Sequence, residues 1–264
     1  MPELPEVETI ARALIDVLGK SIVDVKIYFG PENLEKLKGE RIVQIRRRGK
    51  FLVFEMGRCF LLVHLRMSGK FLIKRWDEVR EKHEQVIFDL DDGCSLRFFD
   101  PRKFGRLYVV IDPEEILRKL GPEPLQWEFD SFRKALKGRG RALKPLLLDQ
   151  SFIAGIGNIY ADEALWQAKL HPLTLASSLS NAQAFELYHA IQNVLKRGIA
   201  TKGTSLGKGL ANFQHVNGES GKHQDHLDVY GRGGMGCKRC QTEITKTKVA
   251  QRGTHLCPKC QIKL

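Results

Sequence analysis

RIVQIRRRGKFLVFEMGRCFLLVHL, residues 41–65, holds three short runs, Arg41–Arg46, Phe51–Glu55 and Phe60–Leu65, rich in β-branched and aromatic residues and parted by Gly49 and Gly57. Runs of five or six such residues between turn-forming glycines are strands of a meander, too short and too often interrupted to be helices. The pattern extends in both directions. Ile22–Ile27 precedes the stretch, and Lys70–Ile73, Val86–Leu90, Ser95–Phe99 and Leu107–Ile111 follow it, with Asp91-Asp92-Gly93 as a hairpin turn. Eight strands with no long helix among them predict a sandwich or a barrel.

Helical periodicity flanks this block. Pro5 suits a first helical position, Val7, Ile10, Ala11, Leu14, Val17 and Leu18 recur at helical spacing, and Gly19 ends the run, so residues 5–18 are a predicted helix. Glu6 and Glu8 fall in its first turn, where acids complement the helix dipole. GPEPLQWEFD, residues 121–130, has the prolines of a linker. Beyond it, Phe132–Leu136, Leu146–Asp149, Ala161–Ala168 and Ala182–Leu195 are helix candidates. FIAGIGNIY, residues 152–160, joins two of them through a glycine-rich turn, a helix-turn-helix-like unit in which Asn158 is placed to cap the second helix. Residues 201–224 carry five glycines and little periodicity, which marks a long loop, of the kind that is either functional or disordered. The expected organisation is α+β: a strand-rich domain over 1–120, a linker over 121–130, a helical domain over 131–224 that includes the 201–224 loop, and a cysteine module over 225–264.

Of the 264 residues 42% are hydrophobic, enough for a core, and no run of 18 apolar residues exists to cross a membrane. MPELPEVETI lacks the basic and apolar regions of a secretory signal, so a cytoplasmic protein is expected. Lys and Arg number 43 against 31 Asp and Glu, a net charge of +12. That excess points to a polyanion such as nucleic acid, with a merely basic globular protein as the alternative. Cys237, Cys240, Cys257 and Cys260 form C-x2-C-x16-C-x2-C. Thiolates two residues apart on one tight turn can share a metal, and two such pairs make a tetrahedral Zn²⁺ site of the zinc-ribbon kind. Two disulfides are the competing reading, disfavoured in a reducing cytosol. Cys59 and Cys94 stand alone and are expected to be small core residues.

The N-terminus offers unusual chemistry. With Met1 removed, Pro2 presents a secondary α-amine, whose reference pKa of about 8 leaves far more neutral nucleophile at pH 7 than a lysine. Attack on an electrophilic carbon gives an iminium, which stays cationic and draws electrons from the neighbouring carbon. Glu3 is the nearest carboxyl for proton transfer. A frayed, inert terminus remains the plain alternative.

MPELPEVET, RRRGKFLVFE, HLRMSG, EKHE, DPRKFG, LGPEPL, GIGNIYADE and AQRGTHLCPKCQ occur in this order along the whole chain, which thereby resembles the formamidopyrimidine-DNA glycosylases. The resemblance implies an N-terminal β-sandwich with flanking helices, a hinge, and a C-terminal helix-two-turn-helix domain with a four-cysteine zinc finger that holds one structural Zn²⁺. It implies a monomeric DNA glycosylase and AP lyase of base excision repair, acting on double-stranded DNA that contains 8-oxoguanine or formamidopyrimidines. Pro2 is implied as the nucleophile at C1′, Glu3 as the acid that protonates the opening sugar, Lys50 as a phosphate contact and proton donor in β-elimination, and Arg252 as the finger arginine of δ-elimination. Met67, Arg102 and Phe104 match the residues that fill the stack vacated by the extruded nucleotide, with Arg102 facing the orphaned cytosine. Asn158, His64, His83, Lys144 and Arg139 match further DNA contacts, and the 201–224 loop matches the segment that covers the flipped base. Gln241 departs from the family, which often has Gly there. Two other readings stand beside this one: an endonuclease VIII-like enzyme for oxidised pyrimidines, against which Leu4 and the Met67, Arg102, Phe104 set argue, and a zinc-dependent DNA-binding protein without catalysis.

Overall fold

Alternation along the strands resolves into two antiparallel sheets. In the computed structural model, which describes residues 1–205 and 221–263, helix α1 (Leu4–Ala13) ends in a 3-10 turn over Leu14–Val17. The strands follow as β1 (Ile22–Ile27), β2 (Ile42–Arg48), β3 (Phe51–Met56), β4 (Phe60–His64), β5 (Lys70–Arg75), β6 (Glu84–Leu90), β7 (Cys94–Phe99) and β8 (Arg106–Val110). One sheet has the order β2-β3-β4-β8 and the other β1-β6-β7-β5. This is the sandwich alternative, not the barrel. Leu52, Phe54, Leu61 and Val63 of the first sheet and Phe71, Val86, Phe88, Leu96 and Phe98 of the second share one core, joined by Val7 and Ile10 of α1 and Leu14 of the 3-10 turn. The strand bounds agree with expectation to within two residues. The 3-10 segment Glu32–Leu37 and the single-turn helix α2 (Glu114–Leu117) were not foreseen, because each is too short to show a period.

Two compact units divide the described residues: Met1–Arg118 with the described parts of Thr201–Gln224, and Lys119–Ala200 with Asp225–Leu264. This differs from the expected organisation in three ways. The ends of the 201–224 segment group with the sandwich, not with the helices, while its middle, 206–220, lies outside the described residues. The cysteine module packs into the helical unit and is not a separate body. The 121–130 stretch is not free chain either: the Gly121 N–H donates to the Gln150 carbonyl, the Pro122 carbonyl accepts from the Ala154 N–H, and the Pro124 and Trp127 carbonyls accept from the Gln192 amide and the Tyr188 hydroxyl.

The second unit contains α3 (Phe129–Lys137), α4 (Leu143–Leu147), α5 (Asn158–Gln167) and α6 (Asn181–Ala200), followed by the hairpin of β9 (Thr245–Val249) and β10 (Arg252–Leu256). Among the described residues no helix is long and apolar enough to cross a membrane.

Candidate active site

In the sandwich unit the N-terminal dipeptide is held, not frayed. Glu3 is the N-cap of α1, and it forms a reciprocal capping box with Glu6: the Glu3 N–H donates to Glu6 Oε2 at 2.8 Å while the Glu3 carboxylate accepts from the Glu6 N–H. The other Glu6 oxygen accepts from the Thr204 N–H at 2.7 Å, which ties the start of the 201–224 segment to the helix. Pro2, Glu3 and Glu6 are all buried. Glu6 is thus more than a dipole-matching acid, and its cross-chain partner could not be read from spacing.

Glu8, two residues beyond Glu6, accepts from Arg12 at 2.8 Å and from Arg47 at 2.9 Å. Burial raises its pKa, but the two guanidinium hydrogen bonds outweigh that and hold the carboxyl below its ordinary range. Arg47 also donates to the Gly49 carbonyl at 3.2 Å. Gly49 has φ +56°, the left-handed turn that lets β2 fold back into β3, and Lys50 follows it, buried at the turn. Arg47 therefore joins the turn bearing Lys50 to the helix that begins at Glu3.

Three loops of the same unit carry the other expected contacts. Met67 and Phe104 are 42% and 46% exposed, not in the core where apolar residues ordinarily go. Arg102 is exposed, with its guanidinium carbon 5.0 Å from the centre of the Phe104 ring. His83 packs edge-on against Phe99. Each loop has a non-glycine residue in the left-handed region: Arg66 at φ +55°, His83 at +79° and Lys103 at +57°. Such backbone costs about 1–3 kcal/mol per residue and gathers at functional sites. His64, at the end of β4, accepts from the Arg66 N–H through Nδ1 at 3.0 Å. Burial, then the Arg66 and Lys50 charges, push its pKa down to about 3. The ring is neutral at pH 7, and with Nδ1 accepting, its proton sits on Nε2 as a donor.

The helical unit places its residues differently from expectation at two positions. Gly157, not Asn158, caps α5. Asn158 is the first helical residue, and its Nδ2 donates to the Gly253 carbonyl at 2.9 Å, next to Arg252. Lys144 is 0% exposed, so it offers no charge to an external phosphate; its Nζ donates to Asp162 Oδ1 at 2.6 Å, Thr254 Oγ1 at 2.8 Å and the Gly253 carbonyl at 2.9 Å. The Asp162 carboxylate accepts in turn from the His255 N–H at 2.9 Å. Lys144 and Asp162 thereby fix the hairpin on which Arg252 stands exposed. That hairpin turns through Ala250 and Gln251, at φ +48° and +61°. Glu163, the next residue, accepts from the N–H groups of Asp228, Val229 and Tyr230. Burial raises the Glu163 pKa against those hydrogen bonds, which lower it. Asp162 and Glu163 of GNIYADE are thus the two anchors of the finger, a role that only long-range contacts reveal. Arg139 is exposed at the end of α3, 6.0 Å from the Phe152 ring centre.

The sulfurs of Cys237, Cys240, Cys257 and Cys260 all lie within 4.8 Å of one another, with Cys240 3.5 Å from Cys257 and 3.4 Å from Cys260. A tetrahedral Zn²⁺ with bonds of ~2.3 Å requires sulfurs roughly 3.8 Å apart. The donors fit the ion. Without a cation the four thiols resist ionising together: hydrogen bonds from Thr242 draw Cys240 down to about 6, while burial and its thiol neighbours push Cys260 up to about 12. Gln241 takes the left-handed φ, +61°, that glycine favours, and its N–H still closes the knuckle on the Cys237 carbonyl at 2.9 Å, so the departure at this position leaves the turn intact. Arg239 stacks on Trp166 of α5 at 3.6 Å, and Gln261 links the Cys257 N–H to the Leu170 carbonyl.

A β-sandwich led by a capped N-terminal helix, with a helical unit that carries a four-cysteine finger, defines a zinc-finger protein of the two-turn helical class. Family models agree along the chain: the formamidopyrimidine-DNA glycosylase N-terminal domain over residues 1–107, the formamidopyrimidine-DNA glycosylase H2TH domain over 120–208, and the zinc finger found in FPG and IleRS over 237–262. Formamidopyrimidine-DNA glycosylase of Protochlamydia amoebophila is 44% identical over the whole of both chains, and that of Enterococcus faecalis 45% identical over 99% of this chain and 97% of the relative. Lactococcus lactis Fpg in complex with DNA containing an abasic site superposes with a TM-score of 0.90 at 38% identity, covering 99% of this chain and 100% of that one. The MutM (Fpg) protein of Thermus thermophilus gives 0.91 at 40% identity over the whole of both chains. The chain belongs to the formamidopyrimidine-DNA glycosylase family, and its four cysteines are the family's zinc site.

Proposed function

We propose that this protein is a bifunctional glycosylase and AP lyase that removes oxidised purines from duplex DNA and then cuts the strand by β,δ-elimination. The observation that carries the reading is the held Pro2–Glu3 terminus, joined through Glu8 and Arg47 to the turn that bears Lys50. Related Lactococcus lactis complexes contain DNA with an abasic site and with Fapy-dG. Once Met1 is removed, the Pro2 lone pair bonds to C1′, the bond from C1′ to the base breaks, and the base leaves with a proton. Glu3 protonates the opening sugar oxygen, leaving an iminium at C1′. Glu3, now a carboxylate, takes the C2′ proton as the 3′ phosphate leaves with Lys50 as proton donor, and a second elimination assisted by Arg252 expels the 5′ phosphate. Zn²⁺ supplies structure: it holds the finger that presents Arg252.

Extruding a nucleotide costs a few kcal/mol, offset by wedges that fill the vacated stack. Met67 and Phe104, exposed on their loops, are suited to that role, and Arg102 to the edge of the orphaned cytosine. His64 donates through Nε2 to a phosphate without carrying charge. His83, Arg139 and Asn158 are further proposed DNA contacts, while Lys144 is assigned to the scaffold. Action as a monomer in the bacterial cytoplasm suits a reader of duplex DNA.

An end-labelled duplex with 8-oxoguanine opposite cytosine tests the reading. The expected product is a lesion strand cut in two across a one-nucleotide gap, with a 3′ phosphate on one side and a 5′ phosphate on the other. Faster cutting of a thymine-glycol duplex would instead favour the oxidised-pyrimidine reading.

A further inference from the structure

Met67, His83, Arg102 and Phe104 come from three loops far apart in sequence, and one buried residue is hydrogen-bonded to all three, to two through its side chain and to the His83 loop through its backbone N–H. Asp100, 1% exposed, ends the strand region of β7. Its Oδ1 accepts from the Ser68 hydroxyl at 2.5 Å and from the Arg102 N–H at 3.2 Å, and its Oδ2 accepts from the Gly105 N–H at 2.7 Å. Its own N–H donates to the His83 carbonyl at 2.9 Å. Ser68 follows Met67, and Gly105 follows Phe104. The turn is pressed onto the carboxylate so closely that a Cβ on Gly105 would lie 3.1 Å from Asp100 Oδ2 and 2.5 Å from the Phe98 ring. The two carboxylate oxygens are thus met by the Ser68, Arg102 and Gly105 donors. Hydrogen bonds to an ionised acceptor are the short, strong ones, and they hold position better than neutral bonds.

We infer that Asp100 is a positioning residue for lesion recognition: it locks the Met67 loop to the Arg102–Gly105 turn, so that wedge and cytosine reader enter the duplex as one rigid tool. The inference rests on the proposed roles of Met67, Arg102 and Phe104. Without the clamp each loop would settle separately, and misplacing such groups by even 1 Å is expensive. Chemistry at Pro2 on a pre-formed abasic site has no base to extrude and does not need the tool.

Two variants separate the clamp from the fold. Ser68→Ala removes only the bond to the Met67 loop. Asp100→Asn places an amide NH2 where an oxygen accepted from a backbone N–H, so either the Arg102 or the Gly105 N–H of the turn loses its acceptor. Each is assayed for base removal from 8-oxoguanine opposite cytosine and opposite adenine, for borohydride trapping on a pre-formed abasic site, and for fluorescence of 2-aminopurine beside the lesion, which rises on unstacking. Both variants should lose at least about tenfold in base removal and in preference for cytosine, the worth of one charge-assisted hydrogen bond. The 2-aminopurine rise should shrink and trapping should stay within about twofold, since the lost interaction does not touch the reacting atoms. Unchanged base removal and preference overturn the inference, as does an equal loss of trapping, which would make Asp100 a general support of the unit. If the wild-type protein does not trap, the proposed lyase fails instead, and the 2-aminopurine signal, which needs only binding, still judges the clamp.

Discussion

Lys144→Met is the sharpest test of how the finger is held. Lys144 and Asp162 are both 0% exposed, and the ammonium gives its three protons to Asp162, Gly253 and Thr254. Methionine fills the space but leaves the Asp162 carboxylate buried with, among the described residues, the His255 N–H and the His255 ring nitrogen at 3.4 Å beside it. Breaking one side of a buried pair costs about 3–5 kcal/mol. Gly253 is spared part of that cost, because Asn158 still donates to its carbonyl. Adding Asp162→Asn removes the stranded charge and keeps an acceptor for His255, so the double variant should recover most of the loss, as neutral replacements of buried pairs usually do. Urea unfolding followed by Trp166 fluorescence and by zinc release reads both values. DNA binding supplies the second arm. A phosphate-contacting lysine contributes about 0.9 to the slope of log affinity against log salt. Folded Lys144→Met protein at low temperature should keep the wild-type slope. A stability change under about 1 kcal/mol, or a slope lowered by about one unit, would refute the buried-post account and return Lys144 to the DNA surface.

Three other outcomes are expected. Ala250→Asn with Gln251→Gly should stabilise the finger hairpin by about 1 kcal/mol in thermal melts, since this pair favours the left-handed turn that the present residues adopt under strain; a loss of stability would mean that the turn is not of that type. His64, drawn down to about 3 from 6.5, binds its proton more readily unfolded than folded, so its contribution is complete above pH 6.5 and is lost as pH falls from there toward 3. His64→Gln should therefore flatten the melting temperature across that window, and an unaltered pH profile would count against a neutral, half-buried ring. Cys257→Ser should release zinc and weaken DNA binding together, because finger and metal fold as one; full binding without metal would remove the finger from the interface.

The choice of sandwich over barrel rests on pairing between distant strands, which no local pattern carries. The eight strands themselves were legible because strand alternation and the turns at Gly49, Gly57 and Asp91-Asp92-Gly93 are local signals. The four cysteines were legible for the same reason, since a knuckle is built within four residues. What escaped was set by partners far along the chain. Lys144 looks like any basic residue until Asp162 and Thr254 close around it. Asn158 has a cap's chemistry, but Gly157 takes the cap and leaves the amide free to reach the finger. GPEPLQWEFD has a linker's composition, yet its carbonyls are taken up by α6 and the 150–154 turn. Asp100 sits in a motif whose exposed members draw attention, while the buried aspartate that gathers their loops gives no periodic or spacing signal.

Borohydride reduction during reaction with 8-oxoguanine DNA, followed by digestion and mass spectrometry of the adduct, bears most directly on the central claim. Deoxyribose is expected at the nitrogen of Pro2 in protein that has lost Met1, with no adduct after Pro2→Gly or where Met1 is retained. An adduct mapped to a lysine, or its survival with Met1 in place, would contradict it.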